Sequence, residues 1–381
     1  MSNLRTKAIL ERLIGFDTVS SNSNLNLLAW IEDYLRDYGV ESKRIDEVEG
    51  KASLIARIGP DGPGGLVFSG HTDVVPVASQ PWSRDPFTLH EENGRYYGRG
   101  TCDMKGFIAC VLAQVPFWTE KALSRPIYLA FTRDEEIGCL GAEAMAAYLN
   151  ARGDEKQLVI VGEPTSMQPV VAQKGITSFR TTVYGEAAHS SQVGQGVSAV
   201  HIAARLVTEI EQVMAALVED GEVDEGFNVP FSSLHVGIIG GGTAINVKAR
   251  ECSFEWEIRH LPTQTMEAIM ARVDAVIARL QVEYPQLRVQ TDMIGHTVPG
   301  LANRDNDHIL DVVSRNLPQD AEPKYVAYAT EAGTFQQHGF EVLILGPGSI
   351  EQAHQPDEWI EKVQLTQCET FLQRVVDDYC L

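Results

Sequence analysis

The chain has 381 residues and carries 52 acidic against 31 basic side chains, a formal net charge of −21. A surface of that sign repels nucleic acid and anionic membrane and favours cations, metal ions among them. Hydrophobic residues at 44% and charged residues at 22% exclude general disorder, the length predicts two domains, and no run of about 18 apolar residues marks a membrane span.

From the N-terminus, helical spacing covers residues 4–14 and about 24–38, the second behind a Ser/Asn-rich start that supplies N-caps. Short apolar strands are predicted at 54–58, 66–68, 127–131, 158–161 and 342–345, with helices at 106–114 and 142–149 between them. Continuous apolar strands alternating with helices predict an α/β layer whose sheet is covered on both faces. The middle of the chain differs. A strand at 178–184 leads into an amphipathic helix with Val200, Ala203, Val207, Ile210, Met214 and Leu217 inward. An acidic loop, 219–225, precedes strands at 232–239 and 251–259. In the second of these, Cys252, Phe254, Trp256 and Ile258 alternate with Glu251, Ser253, Glu255, Glu257 and Arg259, the pattern of a sheet buried on one side. A helix over 265–280, with Met266, Ile269, Val273, Ile277 and Leu280 inward, and a strand at 287–293 complete the order β-α-β-β-α-β, that of a ferredoxin-like α+β domain. The expected organisation is an α/β domain over 1–175 and 295–381, interrupted by a smaller domain over 176–294.

Six cysteines, Cys102, Cys110, Cys139, Cys252, Cys368 and Cys380, are irregularly spaced and form no CxxC pair. They predict reduced thiols rather than a disulfide framework or a zinc knuckle. The opening MSNLRTKAILERL has neither an apolar core nor a cleavage site, so no signal peptide is expected and the predicted location is cytoplasmic.

The acids and histidines fall at a recurring place. His71 and Asp73 follow the strand in "LVFSGHTDVVP". Asp103 lies between a short strand and a helix in "GRGTCDMKG". Glu135 and Glu136 follow a strand in "FTRDEEIG", Glu163 follows one in "VIVGEP", and His354 follows one in "GPGSIEQAHQPDE". In open α/β sheets the C-terminal strand ends are where ligands bind. Each residue alone has a plainer reading. Asp103 can cap the helix behind it, Glu135 and Glu136 can be first-turn acids, Glu163 a solvated loop acid, and each histidine a hydrogen-bonded structural one. Those readings do not explain why all five strand ends carry such residues. Two histidines and three carboxylates suit a pair of divalent ions, zinc foremost, with one carboxylate bridging. A further carboxylate that takes a proton from water is then required, and the Glu135-Glu136 doublet offers it. Residues i and i+2 of an extended chain point the same way, so the Asp73 carboxylate is expected to hold the ring N–H of His71.

These motifs, "SGHTDVVP", "GRGTCDMKG", "DEEIG", "GEP" and the terminal histidine, stand in an order that resembles the M20 family of cocatalytic metallohydrolases over essentially the whole chain. The resemblance implies a zinc-peptidase-like catalytic domain with an inserted ferredoxin-like α+β lid and dimerisation domain. It implies two zinc ions, replaceable by cobalt, with His71 and Glu163 on one, Glu136 and His354 on the other and Asp103 between them. Glu135 is then the general base and Asp73 the residue that orients His71. In the inserted domain, His189 in "GEAAHSS" matches a lid histidine that helps polarise the scissile carbonyl, in several members from the partner subunit of a homodimer. Arg259 and Asn246 match positions that bind a substrate α-carboxylate, although "NVKA" replaces the proline-containing turn that many relatives carry after the asparagine. The plainer readings are a loop histidine for His189 and a salt bridge to Glu257 for Arg259.

Within the family, "EPTSMQPVVAQKG" and "ATEAGTFQQHGFEVLILGPGSIEQAHQPDE" resemble the acetylornithine deacetylase branch. Lys174 stands near where succinyl-diaminopimelate desuccinylases carry an arginine pair, which fits a small neutral acyl group. The implied substrate is a small N-acyl amino acid, with other deacylases and dipeptidases of the family as the alternatives. Glu331 is the guessed partner for a substrate ammonium. Two glycine-rich stretches, "GIIGGGTAIN" and Gly194-x-Gly196-x-x-Ala199, are read as turns, since neither has the strand, glycines and helix of a nucleotide site in register.

Overall fold

The structure, a computed structural model, describes residues 2–151, 156–221, 223–304 and 306–381; Glu222 of the expected acidic loop lies outside them. The chain divides into two compact units. One comprises Met1–Ala172, Asn303–Lys324 and Thr330–Leu381, the other Gln173–Ala302 with Tyr325–Ala329.

The first unit is built on a mixed sheet. Its strands run in the order Ser42–Val48, Lys51–Ile58, Ile127–Thr132, Leu66–His71, Leu158–Val161, Glu341–Ile344 and Val170–Gln173. Four neighbouring strands, Ile127–Thr132, Leu66–His71, Leu158–Val161 and Glu341–Ile344, are parallel, so their C-terminal ends share one edge. Every residue of the first three is buried, which is why they read as unbroken apolar runs. The helix Lys105–Trp118 is buried along nearly its whole length and packs with Ser2–Ile14 and the C-terminal helix Lys362–Tyr379 in one core. The strand expected to lead to Asp103 belongs elsewhere. Arg95–Tyr97 lies in a separate three-stranded sheet with His90–Glu92 and Trp359–Glu361. Four main-sheet strand ends, not five, therefore carry the candidate ligands.

The second unit has strands Gly175–Tyr184, Ser233–Gly241, Glu251–His260 and Arg288–Val298, and helices Ala199–Glu219 and Met266–Glu283. Its sheet is antiparallel throughout, in the order second, third, first, fourth. Cys252, Phe254, Trp256 and Ile258 are buried under the two helices, as their alternation predicts. The unit is wider than 176–294 because its first strand starts at Gly175, and Gln173 bridges to Leu301. The inward side of the helix Ala199–Glu219 is also shifted. Ala199, Ile202, Ala203, Leu206, Ile210, Val213 and Leu217 are buried, whereas Val200, Val207 and Met214 are only partly so. This helix is apolar over two adjoining stripes, and helical spacing alone fits either. All six cysteines are free and buried, and among the described residues no helix is long and apolar enough to cross a membrane.

His260 ends the third strand, buried, with Nε2 lacking a hydrogen-bond partner. A Cβ on Gly175 would lie 2.2 Å from that nitrogen, so glycine is required where the first strand begins. Burial lowers the His260 pKa below its ordinary 6.5. Below that pH the unfolded chain takes up a proton that the folded one resists, so this residue's contribution to stability is lost as pH falls. Urea unfolding of wild type and His260→Gln between pH 7 and pH 5 is expected to show the difference moving in favour of the variant as pH drops. A constant difference would contradict the assignment.

Candidate metal centre

His71 is the last residue of its strand. Its Nδ1 donates to the main-chain carbonyl of Asp73 at 2.8 Å; a carbonyl only accepts, so the proton sits on Nδ1 and Nε2 is turned inward. There Nε2 meets Asp103 Oδ1 at 2.9 Å and Glu163 Oε1 at 3.5 Å. The Asp73 carboxylate does not hold the ring as expected, its Oδ1 being 3.7 Å from Nδ1. The strand stops at His71, so the i, i+2 rule of an extended chain does not reach Asp73. That carboxylate accepts instead from Ser20 Oγ at 2.7 Å and from the main-chain N–H groups of Glu135 and Glu136 at 3.0 and 3.3 Å.

Asp103 is not a cap. Met104 occupies the N-cap of the helix Lys105–Trp118, with no side-chain capping bond. The Asp103 carboxylate faces both imidazoles, Oδ1 toward His71 and Oδ2 toward His354 Nε2 at 3.2 Å. Its loop is held by Glu358, which the sequence reading passed over. One buried carboxylate accepts from the main-chain N–H groups of Gly100 at 3.0 Å, Cys102 at 2.8 Å and Asp103 at 3.0 Å. It also pairs with the equally buried Arg99 at 2.8 Å.

Glu135 and Glu136 are not first-turn acids either, since the next helix begins at Ala142 with Glu143 in that role. They sit on a turn closed by bonds from Leu140 N to Asp134 O and from Gly141 N to Arg133 O. Glu136 Oε2 lies 3.1 Å from His354 Nε2, while its Oε1 is buried without a partner. Glu163 follows its strand through Gly162, where a Cβ would lie 2.1 Å from the Phe107 ring. His354 is half exposed, ten residues past its strand, and its carbonyl accepts from Gln80 Nε2 at 3.0 Å.

The electrostatics follow from crowding. Burial would lower His71, but the charges of Glu163 and Asp103 outweigh it and hold the imidazole well above 6.5. Hydrogen bonds donated to Asp103 and Glu136 push His354 up to about 10. Burial raises Asp103, yet the two imidazoles prevail and keep it below the usual carboxylate range. Burial and neighbouring acids raise Glu163 well above its ordinary value and push Glu135 up to about 8, against the pull of His71. The ligand atoms of His71, Asp103 and Glu136 all lie within 4.8 Å of one another, as do those of His71, Glu135 and Glu163. Imidazole nitrogens and carboxylate oxygens at this spacing, with one buried oxygen unsatisfied, fit divalent ions of the zinc or cobalt type.

Glu331 is not available to a ligand. It is buried, and both oxygens accept hydroxyl bonds, from Ser69 and from Thr132 at 2.8 Å. In the second unit His189 is exposed, its Nδ1 2.8 Å from Ser191 Oγ, and it bridges to Val247. Asn246 is exposed on the adjoining loop and its carbonyl accepts from Ser190 N. Lys248 anchors the loop 193–196, so the glycines there form a turn. Arg259 pairs with Glu257 at 2.8 Å, the plainer of its two readings, and donates to the Ala327 carbonyl at 3.4 Å. Lys174 is buried, donates to the Phe231 carbonyl, and is lowered to about 8 by burial and then by the Arg259 charge.

Residues 67–378 match the family model described as peptidase family M20/M25/M40. The chain belongs to this family. M20 proteins are metal-dependent hydrolases, in keeping with the donor set at the sheet edge. The chain is 34% identical to an acetylornithine deacetylase of Photorhabdus laumondii, over 95% of this chain and 91% of that protein. It is 36% identical to one of Shigella sonnei, over 94% and 92%. Among solved structures, aminopeptidase PepT from Bacillus cereus has the same fold at a TM-score of 0.78 and 21% identity, over 99% and 98% of the two chains. The YXEP protein of Bacillus subtilis, described as a dinuclear metal-binding peptidase of the M20 family, follows at 0.71 and 13%, over 100% and 99%.

Removing Glu358 leaves the buried Arg99 unpaired and frees three main-chain donors. Glu358→Ala is expected to lower the unfolding free energy by about 3–5 kcal/mol, read from urea denaturation. A loss within experimental scatter would show that the Asp103 loop does not depend on this carboxylate.

Proposed function

We propose that the chain is a two-metal amidohydrolase that removes acetyl from N2-acetyl-L-ornithine, giving L-ornithine and acetate, a step of arginine biosynthesis. The observation that carries this reading is the Asp103 carboxylate with one oxygen toward each imidazole, in a chain similar to acetylornithine deacetylases over nearly their whole length. His71 and Glu163 would hold one ion, Glu136 and His354 the other, with Asp103 between them. Bound zinc or cobalt ions supply Lewis-acid activation of the amide carbonyl and of water near neutral pH.

Glu135 is the general base. It takes a proton from the attacking water and delivers it to the amine as the C–N bond breaks. Burial raises it above an ordinary carboxyl group, so that once protonated it retains the proton for the departing amine. Asp73 fixes the main chain of the doublet, and its carbonyl selects the His71 tautomer. The second unit acts as a lid and dimerisation domain of a homodimer. His189 polarises the scissile carbonyl, and Arg259 and Asn246 take the α-carboxylate, with the charge of Lys174 beside Arg259 reinforcing the attraction.

The test is amine release from N2-acetyl-L-ornithine by chelator-stripped protein, with and without zinc or cobalt, beside N-succinyl-diaminopimelate and a dipeptide. Metal-dependent turnover of the first alone is expected. Turnover of another compound would overturn the ornithine assignment, and turnover without metal the two-metal one. Metal at a hundredfold excess over its Kd should also stabilise the stripped chain by about 2.7 kcal/mol. Glu135→Gln is expected to reduce kcat by about 10²–10⁴-fold while the protein still binds metal. Loss of the metal instead would make Glu135 a ligand rather than the base.

A further inference from the structure

The turn that presents Glu135 also carries a thiol aimed at it. Cys139 is buried, and its Sγ lies 3.3 Å from Glu135 Oε1. The main chain fixes this approach: Cys139 N donates to the Glu135 carbonyl at 2.8 Å, and the Cys139 carbonyl accepts from Ala142 N at 3.1 Å. Cys139 sits at φ 60, a left-handed conformation that a residue with a Cβ seldom adopts, so the turn holds a thiol here against its backbone preference. At the other end of the same residue, Glu135 N donates to Asp73 Oδ1 at 3.0 Å. No other side chain among the described residues donates to the Glu135 carboxyl. Cys102, the comparable cysteine beside Asp103, is directed elsewhere, to the Ser349 carbonyl at 3.3 Å.

We propose that Cys139 is a positioning residue for the hydrolytic step: its S–H donates to Oε1, fixes the Glu135 rotamer and leaves Oε2 to receive the proton from water. The inference rests on the reading of Glu135 as the base. A long side chain reaching into a crowded site has several rotamers, and a base acts only from the one within hydrogen-bond reach of the reacting proton. Asp73 holds the main chain of Glu135, and the thiol holds its tip.

The test uses the full chain, metal-loaded, with Cys139→Ala, Cys139→Gly and Cys139→Ser. Glycine accepts the left-handed conformation without strain, so it separates loss of the donor from disturbance of the turn. Cys139→Ala and Cys139→Gly are expected to lower kcat about tenfold, the worth of one ordinary hydrogen bond, with KM and bound metal unchanged. Cys139→Ser, which retains a donor, is expected to recover most of that loss. Wild-type kcat in both the alanine and glycine variants would overturn the proposal. So would a serine variant whose kcat falls as far as the alanine variant's, or loss of bound metal from the alanine and glycine variants, since either is a structural effect. Glu135→Gln is assayed alongside. If it stays active, the base assignment has failed; if it is inactive while the alanine and glycine variants turn over fully, only the positioning role has failed. A crystal structure of Cys139→Ala supplies a readout free of turnover: Glu135 in several rotamers is expected, and a single unchanged rotamer counts against the proposal.

Discussion

Four carboxylates and two imidazoles converge at the edge of the main sheet, and none of them pairs with a lysine or arginine among the described residues. Two like charges 4 Å apart repel by about 4 kcal/mol at an effective dielectric constant near 20. The folded chain therefore gathers negative charge that nothing cationic in the protein relieves, beyond protons on the two histidines. Divalent cations answer that arrangement, since burial and mutual repulsion raise the carboxyl groups of Glu163, Glu135 and Glu136.

Holding such a site together takes a second set of acids. Asp73, Glu358 and Glu331 are all buried, and each bonds to the framework instead of facing the site. Asp73 grips the Glu135-Glu136 main chain, Glu358 grips the Gly100–Asp103 loop, and Glu331 ties the hydroxyls of two neighbouring strands. Their donors are main-chain N–H groups, hydroxyls and one arginine, which satisfy a carboxylate without competing for metal. Gly162 has a parallel function, letting the strand that leads to Glu163 press against Phe107.

Much of this was legible in the sequence, for a physical reason. A strand buried on both faces must be apolar, so a histidine or acid at its end stands out, and His71, Glu135, Glu136, Glu163 and His354 were found that way. The one-sided alternation of 251–259 likewise gave the second sheet. Where the reading of the site failed, no periodicity was available to carry it. Asp103 follows a three-residue strand whose membership in another sheet depends on a distant partner, Trp359–Glu361. Asp73 looked like the orienting carboxylate because the strand was assumed to continue past His71. Glu358 and Cys139 act through main-chain donors and a turn, and neither leaves a pattern in residue spacing. The resemblance to a family supplied roles that spacing alone left open, above all which member of the Glu135-Glu136 pair is proposed as the base.

Most of the second unit, Gln173–Ala302, sits in the sequence between Met1–Ala172 and the later segments of the first. On a ribosome, a nascent chain that has reached residue 172 already contains His71, Asp103, Glu135, Glu136 and Glu163. It lacks His354, the Glu358 that seats the Asp103 loop, and the strand Glu341–Ile344 that covers the flank of Leu158–Val161. The acidic cluster is thus synthesised early and completed late, after the four-stranded unit has emerged. A chain that stops short of Glu341 leaves that strand edge unpaired beside a concentrated acidic cluster, and an unpaired edge is a template for aggregation.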